Sequence, residues 1–291
     1  MPRMLLAIAC LWMLCGTGLA GEPVATMNLW PGKPPGDTTE IGPEKVVRGM
    51  LTNVSTPTIA VYKPQKEKDT HVAIVVAPGG GFTGLAMEHE GTQVVDWLNS
   101  IGVTGVLLKY RVPNRPGMPR YMAAMQDGQR ALSIVRSKAS DWDIDPNRIG
   151  IIGFSAGGQL AADVETNFDK RVYDPVDDMD KGQTRPDFAI LVYPGGIAPR
   201  DGSVGLTPDV RVTSQTPPTI LIVADNDRSE NSVYMYLALK KAKVPAEMHV
   251  YGEGGHGFGM HKTDAPHGTW TRRVDDWMRM RGILGPGAPA N

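Results

Sequence analysis

The chain has 291 residues, a formal charge of -1 and 41% hydrophobic residues. This length is sufficient for one large α/β domain with a buried core. The balanced charge gives no indication of a nucleic-acid partner or of an acidic polymer as partner.

The first twenty residues have the layout of a secretory signal peptide. Arg3 precedes an apolar run over residues 5–14, and the small residues Gly18 and Ala20 come before the expected cleavage site. A basic start, a short apolar stretch and small residues before the cut are the three features of an export signal. We therefore predict a signal peptide over residues 1–20 and a secreted or periplasmic protein.

Residues 21–291 are predicted to form a single domain that has no membrane contact once the leader is removed. The alternatives are an uncleaved anchor, for which the apolar run is short, and a lipoprotein attached through Cys10 or Cys15. Both cysteines lie in the leader. The mature domain would then have no thiol for a disulfide, a nucleophile or a metal site.

Short apolar runs alternate with segments of helical periodicity along most of the chain. The apolar runs are residues 71–77, 104–108, 149–152, 188–193, 219–223 and 247–251. The segments of helical periodicity are residues 92–100, 121–138, 232–242 and 268–280. Strands that alternate with helices form parallel sheets covered on both faces, so we predict an α/β fold with a mostly parallel central sheet of about eight strands. Functional side chains are expected at the carboxyl ends of these strands.

Two regions depart from this alternation. Residues 45–54 and 58–62 alternate apolar and polar side chains and are predicted to pair as two strands. Residues 168–187 are rich in aspartate and are predicted to form a solvated insertion beside the functional site. A calcium loop is the alternative, but the twelve-residue ligand spacing and the central glycine are missing. The aspartates concerned are Asp174, Asp177, Asp178 and Asp180.

Residues 153–157, Gly-Phe-Ser-Ala-Gly, match the G-x-S-x-G pattern of a nucleophile elbow. The apolar run before this segment predicts a strand, and the residues after it favour a helix. In such a turn the serine hydroxyl is raised at the end of the strand, and the helix N-terminus faces the place where an oxyanion would form. We predict Ser155 as a nucleophile. The alternative is a glycine-rich turn with a serine of no function.

A serine nucleophile needs a base to take its proton and an acid to orient that base. His256 follows the last predicted strand and has glycines on both sides, so it is predicted as the base. The strand before it leads into Asp225 and Asp227. We predict Asp227 as the acid because it lies far enough past the strand to reach the histidine, with Asp225 as the alternative. The other histidines lie at less suitable places: His71, His89, His249, His261 and His267.

Three glycines follow the first predicted parallel strand, in the segment Pro-Gly-Gly-Gly-Phe over residues 78–82. An oxyanion hole would combine an N–H group of this loop, from Gly80 or Gly81, with the N–H of Ala156. Taken alone, such a run could also bind phosphate. It lacks the lysine and the Ser/Thr of a Walker motif and the spacing of a dinucleotide fingerprint.

These motifs, in the chain order serine, aspartate, histidine, resemble the α/β-hydrolase superfamily. Within it the chain is similar to the secreted acetyl-esterase and feruloyl-esterase-like group, carbohydrate esterases that often act on acylated plant polysaccharides. The segments that carry the resemblance are residues 29–32, 77–82, 110–113, 153–158 and 255–258. Related esterases usually have a histidine before the glycine run, where it braces the loop; this chain has Pro78.

The resemblance implies a secreted serine carboxylesterase that removes acetyl groups from plant polysaccharide or oligosaccharide, in the manner of acetyl xylan esterases. Its substrate would be a small ester or an acylated carbohydrate, and the reaction would require no metal and no organic cofactor. The alternatives are a feruloyl or general short-chain carboxylesterase, a serine peptidase of the same superfamily, a glycoside hydrolase and a non-catalytic carbohydrate-binding protein. The sequence leaves the oligomeric state open.

Overall fold

The computed structural model of the protein describes residues 21–38 and 40–285, so the predicted signal peptide lies outside the described residues. The strands are β1 Ala25–Asn28, β2 Lys45–Val47, β3 Met50–Thr52, β4 Thr58–Tyr62, β5 Ala73–Ala77, β6 Thr104–Lys109, β7 Ile149–Phe154, β8 Phe188–Val192, β9 Thr219–Ala224 and β10 Ala246–Tyr251. The α-helices are α1 Gln93–Ser100, α2 Met122–Ser137, α3 Ala156–Thr166, α4 Glu230–Lys241 and α5 Trp270–Met280. In this part of the chain no helix combines the length and the apolar character needed to cross a membrane.

The central sheet has eight strands in the order β1-β4-β6-β5-β7-β8-β9-β10. From β6 to β10 all neighbours are parallel, whereas β4 pairs antiparallel with both β1 and β6. Every residue of β5, β7, β8 and β9 is buried, because helices cover both faces of the sheet. The predicted α/β fold with a mostly parallel sheet is confirmed, and the carboxyl ends of the central strands lie at one edge.

The predicted pairing of residues 45–54 with residues 58–62 is wrong. The first segment folds back on itself, so that β2 pairs with β3 in a separate two-stranded sheet, and β4 joins the central sheet instead. The reversal occurs at Arg48 and Gly49, which have φ angles of 50° and 77°. A two-residue turn with positive φ at both positions reverses the chain tightly, so the alternation of side chains does not reveal it.

The aspartate-rich region also differs from its prediction as a solvated insertion beside the site. Asp180 is only 8% exposed and forms ion pairs with Arg130 on α2 and with Arg171. Asp177 bonds the same Arg130, whereas Asp174 and Asp178 are exposed and form the solvated part.

The position of the aspartate-rich region also differs from its predicted position beside the functional site. Its contacts run along α2 to Arg136, which pairs with Asp187 at 2.8 Å. The Asp187 carboxylate accepts the N–H of Ile149 at the beginning of β7. The region therefore lies along α2 and reaches the end of β7 that is opposite Ser155.

Candidate active site

Ser155 occupies a sharp turn between β7 and α3. Its φ and ψ angles are 53° and −115°, an unfavourable backbone conformation for a residue with a side chain. A Cβ atom at Gly153 would lie 2.0 Å from the carbonyl oxygen of Gly157, and one at Gly157 would lie 2.1 Å from that of Ala77. Only glycine fits these two positions, which explains the G-x-S-x-G spacing through the close approach of strand and helix.

Three side chains from distant loops form a hydrogen-bonded chain at the carboxyl edge of the sheet. The Ser155 Oγ lies 2.7 Å from His256 Nε2, and His256 Nδ1 lies 2.7 Å from Asp227 Oδ2. The Asp227 side chain is 11% exposed and that of His256 49% exposed. This arrangement can move a proton from the hydroxyl to the imidazole while the carboxylate fixes the ring orientation.

The two candidate acids are distinguished by position. Asp225 is exposed, and its backbone N–H donates to the carbonyl of Tyr251 at 2.7 Å, which continues the pairing of β9 with β10. Asp227, two residues further on, contacts His256. Between them lies Asn226, which the sequence analysis missed: its side-chain oxygen accepts the N–H of Gly255 at 2.8 Å and so ties the acid loop to the histidine loop.

The glycine loop after β5 lies directly beside Ser155. A Cβ atom at Gly79 would be 2.9 Å from the Ser155 Cβ. Among the described residues, none accepts a hydrogen bond from the N–H groups of Gly80, Gly81 or Ala156. The N–H of Ala156 is free because the first N–H groups of a helix have no partner within it. These three groups are available to an oxyanion.

Two residues that the sequence analysis did not assign hold this loop where Pro78 replaces the expected histidine. The Tyr110 hydroxyl donates to the Pro78 carbonyl at 2.7 Å. Burial, together with the negative charge of a nearby glutamate, raises the pKa of Tyr110 well above its usual value, so the hydroxyl keeps its proton. Arg120 donates to the carbonyl of Gly81 and stacks on Phe82, with 5.8 Å from its guanidinium carbon to the ring centroid.

A cavity of about 270 Å³ opens in front of Ser155. Its walls come from the segment 194–196 after β8 and from Arg200, Arg228 and Asn231. The Asn231 side-chain oxygen accepts the N–H groups of Ile197 and Ala198, at 3.2 and 2.9 Å, and so holds the backbone directly after the segment 194–196. Two guanidinium groups lie in the wall, and that of Arg228 is paired with Glu230 at 2.9 Å.

One group of side chains in the described part of the chain has the geometry to hold a metal ion, and it lies away from this cavity. Ligand atoms of Asp69, His71 and Asp143 lie within 4.8 Å of one another. Asp69 and His71 precede β5 and Asp143 precedes β7, so the group lies at the amino end of the strands. Asp69 already forms an ion pair with Lys63 at 2.6 Å. Its place in the fold separates it from Ser155.

Comparison with protein families gives two matches. A model of the prolyl oligopeptidase family matches residues 126–281, more than half of the chain, and the BD-FAE model matches residues 59–192. The chain belongs to the prolyl oligopeptidase family of α/β hydrolases. The predicted membership of the α/β-hydrolase superfamily is therefore confirmed.

Individual proteins similar to this α/β hydrolase include an acetylxylan esterase of Xylanibacter ruminicola, 31% identical over 71% of this chain. The chain spans 44% of the length of that relative. The crystal structure of an acetyl ester-xyloside bifunctional hydrolase from Caldicellulosiruptor lactoaceticus is 32% identical, with a TM-score of 0.73 over 91% of this chain and 98% of the other. Esterase 2 of Thermogutta terrifontis, phosphonylated by cyclosarin, is 25% identical, with a TM-score of 0.68 over 86% and 98% of the two chains.

Proposed function

We propose that this α/β hydrolase is a serine carboxylesterase that removes acetyl groups from acylated carbohydrate. The observation that supports this best is the hydrogen-bonded chain of Ser155, His256 and Asp227, with 2.7 Å at each contact, beside N–H groups that bond no acceptor in the described part of the chain. Nucleophile, base, orienting acid and oxyanion donors are the set that acyl transfer requires. The proposed reaction runs without a metal or an organic cofactor.

In the proposed mechanism Ser155 attacks the ester carbonyl while His256 takes its proton. The N–H groups of Ala156 and of Gly80 or Gly81 stabilise the oxyanion. His256 then protonates the departing sugar alcohol. Water hydrolyses the acyl-enzyme with the same imidazole as base, and the Asp227 carboxylate stabilises the imidazolium without taking the proton.

Acetyl is the acyl group that we propose. The names of two relatives, an acetylxylan esterase and an acetyl ester-xyloside hydrolase, support an acetylated xylan or xylo-oligosaccharide as substrate. A feruloyl or general short-chain esterase stays the alternative, and a panel of acetyl, butyryl and feruloyl esters separates the three.

Peptide hydrolysis is a second candidate, because the prolyl oligopeptidase family model matches more than half of the chain. The same three side chains would then cleave an amide, and peptide nitroanilides would be substrates. A glycoside hydrolase needs two carboxyl groups that face the scissile bond. Among the described residues that line the cavity Asp227 is the one carboxylate, and it bonds His256.

We also propose that residues 1–20 direct export and that residues 21–291 act as one domain outside the cytoplasm. The basic start and the apolar run over residues 5–14 support this. Amino-terminal sequencing of the protein recovered from a secreting host tests the proposal. A mature chain that begins at or near Gly21 is expected, and a full-length chain retained in the cell would contradict it.

The deciding experiment compares acetate release from acetylated xylan by wild type and Ser155→Ala. We expect the variant to lose at least about 10³-fold in kcat, because the nucleophile is absent while the oxyanion donors stay. A fluorophosphonate should label the wild type at Ser155. Ser140→Ala, at an exposed serine outside the site, is the control and should keep full activity and full labelling. Full activity of Ser155→Ala on a nitrophenyl acetate would refute the assignment.

A further inference from the structure

Glu90 is a buried carboxylate that none of the steps above uses. It lies in a single π-helical turn, Glu88–Thr92, directly before α1, and is 3% exposed. Its Oε2 accepts the N–H of Gly79 at 2.8 Å, and its Oε1 accepts the hydroxyl of Tyr193 at 2.8 Å. Both oxygens are therefore occupied by groups from outside the helix that carries them.

The second of these bonds leads to the histidine loop. The Tyr193 hydroxyl also accepts the N–H of Gly259 at 2.8 Å, and its ring centroid lies 5.2 Å from that of His256. Burial raises the pKa of Tyr193 well above its usual value, and the negative charge of Glu90 raises it further. The phenol therefore keeps the proton that it donates. The Gly259 carbonyl is held from the other side by the Trp270 indole N–H at 2.8 Å.

We propose that Glu90 is a positioning residue that fixes the glycine loop and the histidine loop relative to each other. One oxygen holds Gly79, whose neighbour Gly80 is a proposed oxyanion donor, and the other holds the histidine loop through Tyr193. The inference rests on the proposed function, since only acyl transfer requires these two loops at a fixed separation. The contact between Glu90 and the glycine loop is tight, since a Cβ at Gly79 would lie 2.5 Å from Glu90 Oε2.

The energetic argument favours a role in positioning. A buried carboxylate costs several kcal/mol unless hydrogen bonds compensate for the lost water. Here one compensating bond goes to the glycine loop, and the other goes to Tyr193, which in turn holds the histidine loop. Small displacements of an oxyanion donor act on the transition state more than on bound substrate. Loss of the hydrogen bonds of Glu90 should therefore lower kcat and leave KM nearly unchanged.

Two substitutions test this while keeping side-chain volume. In Glu90→Gln the amide nitrogen cannot accept a hydrogen bond, so one of the two bonds is lost. Tyr193→Phe keeps the ring and removes the hydroxyl. Glu88→Gln, at an exposed position of the same turn, is the matched control. The readouts are kcat and KM on a nitrophenyl acetate per fluorophosphonate-titrated site, together with the midpoint of unfolding.

We expect kcat per titrated site to fall about 10- to 100-fold in each of the network variants, Glu90→Gln and Tyr193→Phe. This loss is smaller than the loss of about 10²- to 10³-fold that follows removal of an oxyanion donor. KM should change less than about 3-fold, and Glu88→Gln should match wild type. Since Glu90 and Tyr193 act through one network, the double variant should lose much less than the product of the two single losses.

The inference is overturned if kcat per site stays at the wild-type value in both single variants, including the case where only the midpoint of unfolding falls. It is also overturned if the double variant loses the full product of the single effects. Failure of the proposed function has a different signature: wild type is not labelled at Ser155, and Ser155→Ala keeps its activity. A labelled, active wild type with normal network variants leaves the function intact and removes the role of Glu90.

Discussion

Replacement of Asp227 by asparagine removes a negative charge from the proposed triad with almost no change of volume. During the reaction the imidazolium of His256 lies next to this carboxylate, with 2.7 Å between Nδ1 and Oδ2 and a carboxylate only 11% exposed. Two charges about 4 Å apart interact by about 4 kcal/mol at an effective dielectric constant near 20. Loss of that energy in the transition state corresponds to about 10³-fold in kcat.

The assay is hydrolysis of a nitrophenyl acetate, with the Asp225→Asn variant as matched control. Asp225 carries the same charge two residues away but is exposed, and both ring nitrogens of the histidine bond other side chains. Its replacement should change kcat by less than about 2-fold, as exposed charges contribute little. If the two variants lose activity equally, or if only Asp225→Asn loses it, the assignment of Asp227 as the orienting acid is refuted.

Two further predictions concern buried positions. Burial raises the pKa of Glu165 from its ordinary 4.5 to about 8. Between these two pH values the folded state therefore holds a proton that the unfolded state has released. The free energy of unfolding should then fall with rising pH by at most about 1.4 kcal/mol per unit, and urea titrations of Glu165→Gln should show a flatter slope; an unchanged slope contradicts this. Gly79→Ala would bring a Cβ within 2.5 Å of Glu90 Oε2 and should lower kcat by at least about 10-fold, whereas Gly32→Ala, with nothing within 4 Å, should match wild type in the same assay.

The parts of the site that the sequence predicts are those set by local chemistry. The turn around Ser155 needs glycine at two fixed spacings, and that requirement is visible as a pattern. His256 is identifiable for a similar reason, because glycines flank it after a strand and parallel strands end at one edge of the sheet. The topology of the sheet then decides which histidine near the C-terminus and which acid can lie close to the serine. The assigned roles of these residues stay a proposal.

Glu90 could not be found in this way. It follows no strand, its neighbour His89 also lacks a motif, and its two partners are 11 and 103 residues away in the chain. The prediction for Asp180 is wrong for the same reason: its partner Arg130 lies on α2, far away in the chain, so a buried ion-pair cluster has the same composition as a solvated acidic loop. Local patterns report backbone conformation, whereas the burial of a charge depends on tertiary partners.

Two neighbouring strands end in a strained residue at the site, and the sheet explains how the strain persists. Ser155 follows β7 with φ 53°, and Tyr193 follows β8 with φ 36°. Sheet pairing continues into both residues, since the Ser155 N–H donates to Val192 at 3.1 Å and the Tyr193 N–H to Ile222 at 2.6 Å. Each strained residue costs about 1–3 kcal/mol and persists only where its surroundings fix it. The fully buried strands β7, β8 and β9 supply that constraint, so one rigid edge sets both the proposed nucleophile and the tyrosine that joins the two loops.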